Sequence, residues 1–167
     1  MCGPDDFIIY QENALTHEQE RQLIEFIDSQ IWSTELTRRV QHYGYTYNYK
    51  NGAVSKTTPI PPEWITLFNI TEDKCCIIVN EYLPGQGISP HIDSLKFREK
   101  IICYSLGSAI NIQFALNYKY KNYYVQPRSY YIMHGDSRYK WTHEIQRLKY
   151  DNKIPRGRRI SITIRWL

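Results

Sequence analysis

Along this chain the spacing of apolar positions changes from helical to alternating. Thr16-His17-Glu18-Gln19 has the S/T-x-x-E/Q form in which a hydroxyl and an amide side chain cap backbone N–H groups, and Leu23, Phe26 and Ile27 follow at helical spacing. The pattern predicts a helix over residues 16–29. Pro61-Pro62 opens a second helix, whose Trp64, Leu67 and Phe68 share an inward face. A short apolar run, residues 7–10, precedes the first helix. Nearly everything else reads as strand or turn: β-branched and aromatic residues bounded by Gly, Pro or Asn predict strands at 40–47, 74–82, 101–106, 110–116, 123–126, 130–134 and 159–166. Many short strands behind a helical start predict a mainly β chain with flanking helices (α+β), an antiparallel double sheet of the jelly-roll kind. Without an internal repeat or linker, residues 1–167 are expected to form a single domain.

Composition narrows the function classes. Hydrophobic residues at 42% and charged residues at 23% belong to a globular chain rather than a disordered or fibrous one. No window approaches eighteen consecutive apolar residues, and the opening MCGPDDFIIY lacks the basic start and long apolar run of a signal peptide. An intracellular protein with no membrane partner is the expectation. Lys and Arg total 21 against 17 acidic residues, a net +4 that suits a polyanionic partner without requiring one. Cys2, Cys75, Cys76 and Cys103 show no C-x-x-C spacing, and vicinal cysteines on a strand point to opposite faces, so all four read as reduced, buried thiols. Tyrosine is abundant, 15 residues, and serves either a β-rich core or the stacking of bases.

Three segments carry candidate chemistry. In His91-Ile92-Asp93, placed where a strand is expected to begin after Pro84-Gly85-Gln86-Gly87, residues i and i+2 of an extended chain project to one face and can grip one ion. His143, in Trp141-Thr142-His143-Glu144-Ile145, is the best third ligand. Two neutral imidazoles and one carboxylate form the facial triad of non-haem Fe(II) oxygenases, which leaves coordination positions open. The plain alternative is a surface His–Asp hydrogen bond. In the terminal strand, Ile160, Ile162 and Ile164 mark a core face, while Arg159, Ser161, Thr163 and Arg165 mark a polar one. That polar face is either a solvated edge or a dicarboxylate receptor, since the planar fork of Arg pairs with a carboxylate through two hydrogen bonds.

At this point the sequence resembles the AlkB-like Fe(II)- and 2-oxoglutarate-dependent dioxygenases. The resemblance rests on Asn80-Glu81-Tyr82-Leu83-Pro84-Gly85-Gln86-Gly87-Ile88-Ser89-Pro90-His91-Ile92-Asp93, on Gly135-Asp136-Ser137-Arg138-Tyr139-Lys140-Trp141-Thr142-His143 and on Arg158-Arg159-Ile160-Ser161-Ile162-Thr163-Ile164-Arg165. It implies a double-stranded β-helix, with His91, Asp93 and His143 as catalytic metal ligands. It further implies that Arg159 and Tyr82 hold the distal carboxylate of 2-oxoglutarate, that Asn80 and Arg165 hold the metal-chelating end, and that Ser161 and Thr163 line the same pocket. The reaction it implies consumes Fe(II)-bound 2-oxoglutarate and O2, yields succinate and CO2, and hydroxylates a C–H bond; an N-methyl group so hydroxylated leaves as formaldehyde.

The substrate signals divide. Arg38-Arg39-Val40-Gln41-His42-Tyr43-Gly44-Tyr45-Thr46-Tyr47 looks like the nucleotide-facing segment of members that act on nucleic acid, with Tyr45 matching a base-contacting aromatic; the alternative is cross-strand tyrosine packing. Asn117-Tyr118-Lys119-Tyr120-Lys121-Asn122-Tyr123-Tyr124 follows a phosphate backbone or forms an exposed hairpin tip. Arg138 belongs to the active-site wall or to a surface ion pair. Ser94-Leu95-Lys96-Phe97 replaces the acidic residues that repair members carry after the iron-binding Asp; the pattern His91-Ile92-Asp93-Ser94-Leu95-Lys96-Phe97 and the ending Ile154-Pro155-Arg156-Gly157-Arg158-Arg159-Ile160-Ser161 resemble a mitochondrial AlkB-like branch. In contrast, Gly85-Gln86-Gly87-Ile88 and the 137–143 segment resemble the branch that hydroxylates a modified wobble uridine in tRNA. The expected partner is a modified DNA or RNA base. Alternatives are a protein side-chain hydroxylase or demethylase on the same scaffold and a catalytically silent binding module. The oligomeric state is left open, a monomer being compatible with the sequence.

Overall fold

The computed structural model describes residues 6–167. Strand β1 (Ile8–Gln11) precedes α1 (His17–Ser29); β2 (Val40–Tyr47) and β3 (Val54–Lys56) lead to α2 (Pro62–Leu67). Strands β4 (Cys75–Tyr82), β5 (Ile88–His91), β6 (Ile101–Gly107), β7 (Ile110–Leu116), β8 (Lys119–Val125) and β9 (Ser129–Met133) follow. Then come α3 (Gly135–Tyr139), β10 (Thr142–Ile145), the two-residue strands β11 (Tyr150–Asp151) and β12 (Ile154–Pro155), and β13 (Arg159–Trp166). A seven-stranded sheet in the order β1-β9-β6-β13-β4-β2-β3 faces a four-stranded sheet in the order β5-β10-β7-β8, the expected antiparallel jelly-roll arrangement. Among the described residues no helix is long and apolar enough to cross a membrane.

Local chemistry accounts for the elements. Thr16 Oγ1 accepts the N–H of Gln19 at 3.0 Å while Gln19 Oε1 accepts the N–H of Thr16 at 2.8 Å, so the anticipated capping box starts α1. Leu23 and Ile27 of α1 and Trp64 of α2 cover the outer face of the large sheet, where Trp64 meets Tyr43 at 4.8 Å between ring centroids. Ile160, Ile162 and Ile164 enter that layer fully buried, each worth about 1.5–3 kcal/mol. A second apolar layer, including Tyr82, Ile112, Phe114 and Tyr131, fills the space between the sheets. Gly44 interrupts β2 with φ +79°, and a β-carbon there would fall 2.3 Å from the Cys75 carbonyl oxygen; only glycine lets β2 pass so close to β4.

The structure departs from the sequence expectations in four places. The apolar run at 7–10 yields strand β1 on the edge of the large sheet, paired with β9. Strand β8 begins at Lys119, four residues before the expected start, because Asn117 and Tyr118 both adopt positive φ and form a tight turn directly after β7. His91 ends β5 rather than beginning a strand; Pro90 is accommodated because β5 lies at a sheet edge. Strands β3, β10, β11 and β12 and helix α3 are too short for a periodicity to reveal. Cys75, Cys76 and Cys103 are free and buried, with burial pushing the thiols of Cys75 and Cys76 up to about 12 and about 11; Cys2 lies outside the described residues.

Candidate metal centre and co-substrate cavity

A cavity of about 520 Å³ opens between the sheets. The polar face of β13 supplies one wall: Arg159 pairs with Tyr82 across β4, and Ser161 with Asn80. The small sheet supplies the other. His143 of β10 sits opposite His91 of β5, their ring centroids 4.2 Å apart. Gly87 permits this contact: a β-carbon there would lie 2.1 Å from the Ile145 carbonyl oxygen, so any side chain would push β5 off β10.

The donor atoms of His91, Asp93 and His143 all lie within 4.8 Å of one another. Nε2 of His91 is 3.4 Å and Nε2 of His143 3.5 Å from Asp93 Oδ1. His91 Nδ1 donates to the Ser89 carbonyl at 2.9 Å, so Nε2 is the ring nitrogen turned to Asp93 and His143. Asp93 turns its other oxygen, Oδ2, to Arg165 Nη1 at 3.0 Å. The protonation states of His143 and Asp93 suit ligation. Burial, helped by the neighbouring His91, pushes His143 down to about 4, so its imidazole is neutral. For Asp93 burial works the other way, but the hydrogen bond from His91 and the charge of Arg165 hold the carboxyl well below its usual range. His91 also loses solvation, yet its bonds to Asp93 and the Ser89 carbonyl leave it raised.

The two arginines beside this centre are unevenly matched: Arg165 has Asp93 as its counter-charge, and Arg159 has none among the described residues. Arg159 is 1% exposed; its Nε donates to Ser105 Oγ at 2.8 Å, its Nη2 contacts Cys103 Sγ, and among the described residues no carboxylate pairs with it. Its guanidinium stands over the Tyr82 ring at 5.4 Å. Arg165 stacks on Phe97 at 4.1 Å, and its Nε is buried without a partner. Buried guanidinium groups without anions are costly. Two imidazoles and a carboxylate fit Fe(II), and the unpaired Arg159 together with the partly satisfied Arg165 fits an anionic co-substrate.

Residues 10–165 match the 2OG-Fe(II) oxygenase superfamily. The chain belongs to that superfamily. Within it, the chain is an AlkB-like dioxygenase, and its family uses Fe(II), 2-oxoglutarate and O2. It is 36% identical to tRNA (carboxymethyluridine(34)-5-O)-methyltransferase alkbh8 of Xenopus tropicalis over 86% of this chain, but spans only 26% of that protein. It is 38% identical to Uncharacterized protein L905 of Acanthamoeba polyphaga mimivirus, over 90% of this chain and 80% of that one. The solved structure of OsALKBH1 superposes with a TM-score of 0.77 at 14% identity, covering 96% of this chain and 97% of that one, a likeness of fold alone.

In this AlkB-like dioxygenase, His91, Asp93, His143, Asn80, Tyr82, Arg159, Ser161, Thr163, Arg165 and Tyr45 all line one cavity. Tyr45 stands at its β2 side with the Lys56 ammonium 5.9 Å from its ring. The exception is Arg138, expected on the active-site wall or in a surface ion pair. It lies behind the site, 1% exposed, and donates to the carbonyls of Asp93, Ser94, Phe97 and Arg98. Those four carbonyls face inward from a loop with no strand partner, and a five-donor guanidinium is the side chain able to satisfy them together. Arg138 therefore holds the loop that carries Asp93 and Phe97. Sequence reasoning missed Phe97 as the platform for Arg165; it placed Arg38 in the nucleotide-facing segment without separating it from Arg39, and Arg38 lines the cavity.

Proposed function

We propose that this AlkB-like dioxygenase hydroxylates or demethylates a modified base in nucleic acid, and that the family's iron is held by His91, Asp93 and His143. The observation that carries the reading is the placement of the imidazole–carboxylate set in a cavity whose β2 side bears Tyr45, Tyr47 and Tyr49, with Tyr47 and Tyr49 edge to face at 5.2 Å. Exposed aromatic faces suit a base taken out of its stack. The frog relative's name, which concerns a carboxymethyluridine in tRNA, supports a modified uridine as the target, although this chain spans about a quarter of that protein.

Bound there, Fe(II) with 2-oxoglutarate and O2 supplies the oxidising power, one oxygen atom entering succinate and the other the substrate C–H bond. The chain's residues bind and orient. Arg159 and Tyr82 take the distal carboxylate of the co-substrate, and Ser161 and Thr163 line its pocket. Asn80 and Arg165 face its other end, with Arg165 also fixing Asp93 through Oδ2 so that Oδ1 is left for the metal. Ile112 and Tyr131 of the apolar layer between the sheets line the inner wall of the cavity.

A panel of methylated oligonucleotides and modified tRNA, incubated with iron, 2-oxoglutarate and O2, tests the reading. Substrate-dependent succinate, with formaldehyde where an N-methyl group is removed, is expected. Turnover of peptides with no response to any oligonucleotide would replace it with protein side-chain oxidation.

A further inference from the structure

Arg38 and Arg39 are adjacent, yet they serve opposite faces of the large sheet. Arg39 donates from Nε and Nη2 to the two oxygens of Glu81, both at 2.8 Å, and stacks on Trp32 at 4.7 Å. Its charge is matched. Arg38 turns into the cavity, half-buried, where Nε donates to Asn80 Oδ1 at 3.0 Å. Among the described residues, no carboxylate pairs with it and no hydrogen bond engages its two terminal nitrogens. Asp93 is the one carboxylate among the described residues lining the cavity, and Arg165 already takes it. A guanidinium held at one nitrogen by a neutral amide, with its fork turned to an open cavity, is an anion receptor awaiting a guest.

Arg38 adds a third guanidinium to the two beside the co-substrate space. Arg159 and Arg165 flank the space assigned to the two carboxylates of 2-oxoglutarate, and Arg38 approaches from the β2 side, the side of Tyr45. We propose that Arg38 is the substrate's anion receptor, taking an oxyanion carried by the incoming nucleotide, either on a side-arm of the base or on its phosphate. The proposal rests on the nucleic-acid reading above. It adds a specificity residue: nucleotides that bring a negative group to Arg38 are favoured, and the hydrogen bond from Nε to Asn80 sets where that group must lie.

The test uses protein loaded with Fe(II) and 2-oxoglutarate without O2, so that binding is read rather than turnover. Single-stranded RNA probes carrying one 5-carboxymethyluridine, its neutral 5-carbamoylmethyl counterpart or plain uridine are titrated into wild type, Arg38→Gln and Arg38→Lys, and 2-oxoglutarate affinity is measured alongside. Arg38→Gln is expected to weaken probe binding about tenfold or more, Arg38→Lys to retain part of the affinity, and 2-oxoglutarate affinity to stay within about twofold. Loss confined to the carboxymethyl probe assigns the base side-arm. Equal loss on all probes, removed when the phosphate beside the target uridine is replaced by a methylphosphonate, assigns the phosphate. Unchanged probe binding by Arg38→Gln, or a loss of 2-oxoglutarate affinity in its place, overturns the proposal while the nucleic-acid reading stands. Failure of wild type to bind any probe overturns both.

Discussion

Arg158 and Arg159 are neighbours in the chain and opposites in the fold. Arg158 faces the helix-covered side of the large sheet, where its two Nη atoms hold Asp28 of α1 at 2.6 and 2.8 Å and its Nε holds Glu81 at 2.8 Å. Arg159 faces the cavity, more deeply buried, against Ser105, Cys103 and the Tyr82 ring, with no carboxylate beside it among the described residues. Arg39 and Arg38 repeat the division one strand away. On the outer face arginines are matched by carboxylates and fasten α1 and the start of β2 onto the sheet. On the inner face Arg159 and Arg38 have no carboxylate partner among the described residues. The same side chain thus carries ion pairs on one face and is proposed to bind ligands on the other.

The strongest way to break this comparison is to remove one arginine of the pair. Arg159→Ala is expected to weaken 2-oxoglutarate binding by about 2–5 kcal/mol, the usual cost of losing a buried charge-assisted partner, with little loss of folding stability because no native ion pair is broken. Arg158→Ala is expected to do the reverse: unchanged 2-oxoglutarate affinity by calorimetry and a stability loss of about 1–3 kcal/mol in urea unfolding. Equal effects of the two on either readout would erase the division between the faces.

Glu81→Gln sharpens the outer half. Hydrogen bonds from Arg39 and then Arg158 lower the carboxyl of Glu81, and those from Arg158 lower that of Asp28, relative to an unfolded chain. Groups lowered on folding stabilise fully above the unfolded carboxylate pKa of about 4, and that stabilisation is lost as pH falls through the folded values. Unfolding midpoints of wild type should therefore drop below about pH 4, and Glu81→Gln should start lower at pH 7 and show a shallower drop. A parallel pH profile would remove Glu81 from the account.

Smaller effects refine the inner half. Arg138→Ala frees the loop of residues 93–98 and is expected to weaken Fe(II) affinity about 10–100-fold, as the loss of groups that orient metal ligands does, while 2-oxoglutarate binding to the metal-loaded protein changes less. Tyr118→Ser, at a hairpin tip 97% exposed, should alter neither stability by more than about 0.5 kcal/mol nor probe binding. A marked loss of oligonucleotide affinity there would return the β7–β8 tip to the phosphate path.

Much of this arrangement was legible because it follows short-range rules. The capping box of α1, the proline start of α2 and the alternation in β13 each depend on residues within a few positions of one another, and each falls where the pattern put it. Period two also separated Ile160, Ile162 and Ile164 from Arg159, Ser161, Thr163 and Arg165. It did not say whether the polar row meets water or a cavity, because that depends on β5 and β10 folding over it from elsewhere in the chain. The role of Arg138 was hidden for the same reason: its four acceptors are carbonyls 40 to 45 positions away, which carry no side-chain signature. Arg38 and Arg39 looked alike until the neighbouring strand β4 presented Asn80 to one and Glu81 to the other.

The central claim, that His91, Asp93 and His143 assemble one iron site beside a co-substrate receptor, is tested most directly by anaerobic titration of Fe(II) and then 2-oxoglutarate into wild type and His91→Ala, followed by visible absorption. Wild type should bind one equivalent of Fe(II) and develop a charge-transfer band when the 2-oxo acid chelates it, and His91→Ala should show neither. An equal band and equal iron stoichiometry in the variant would contradict the account.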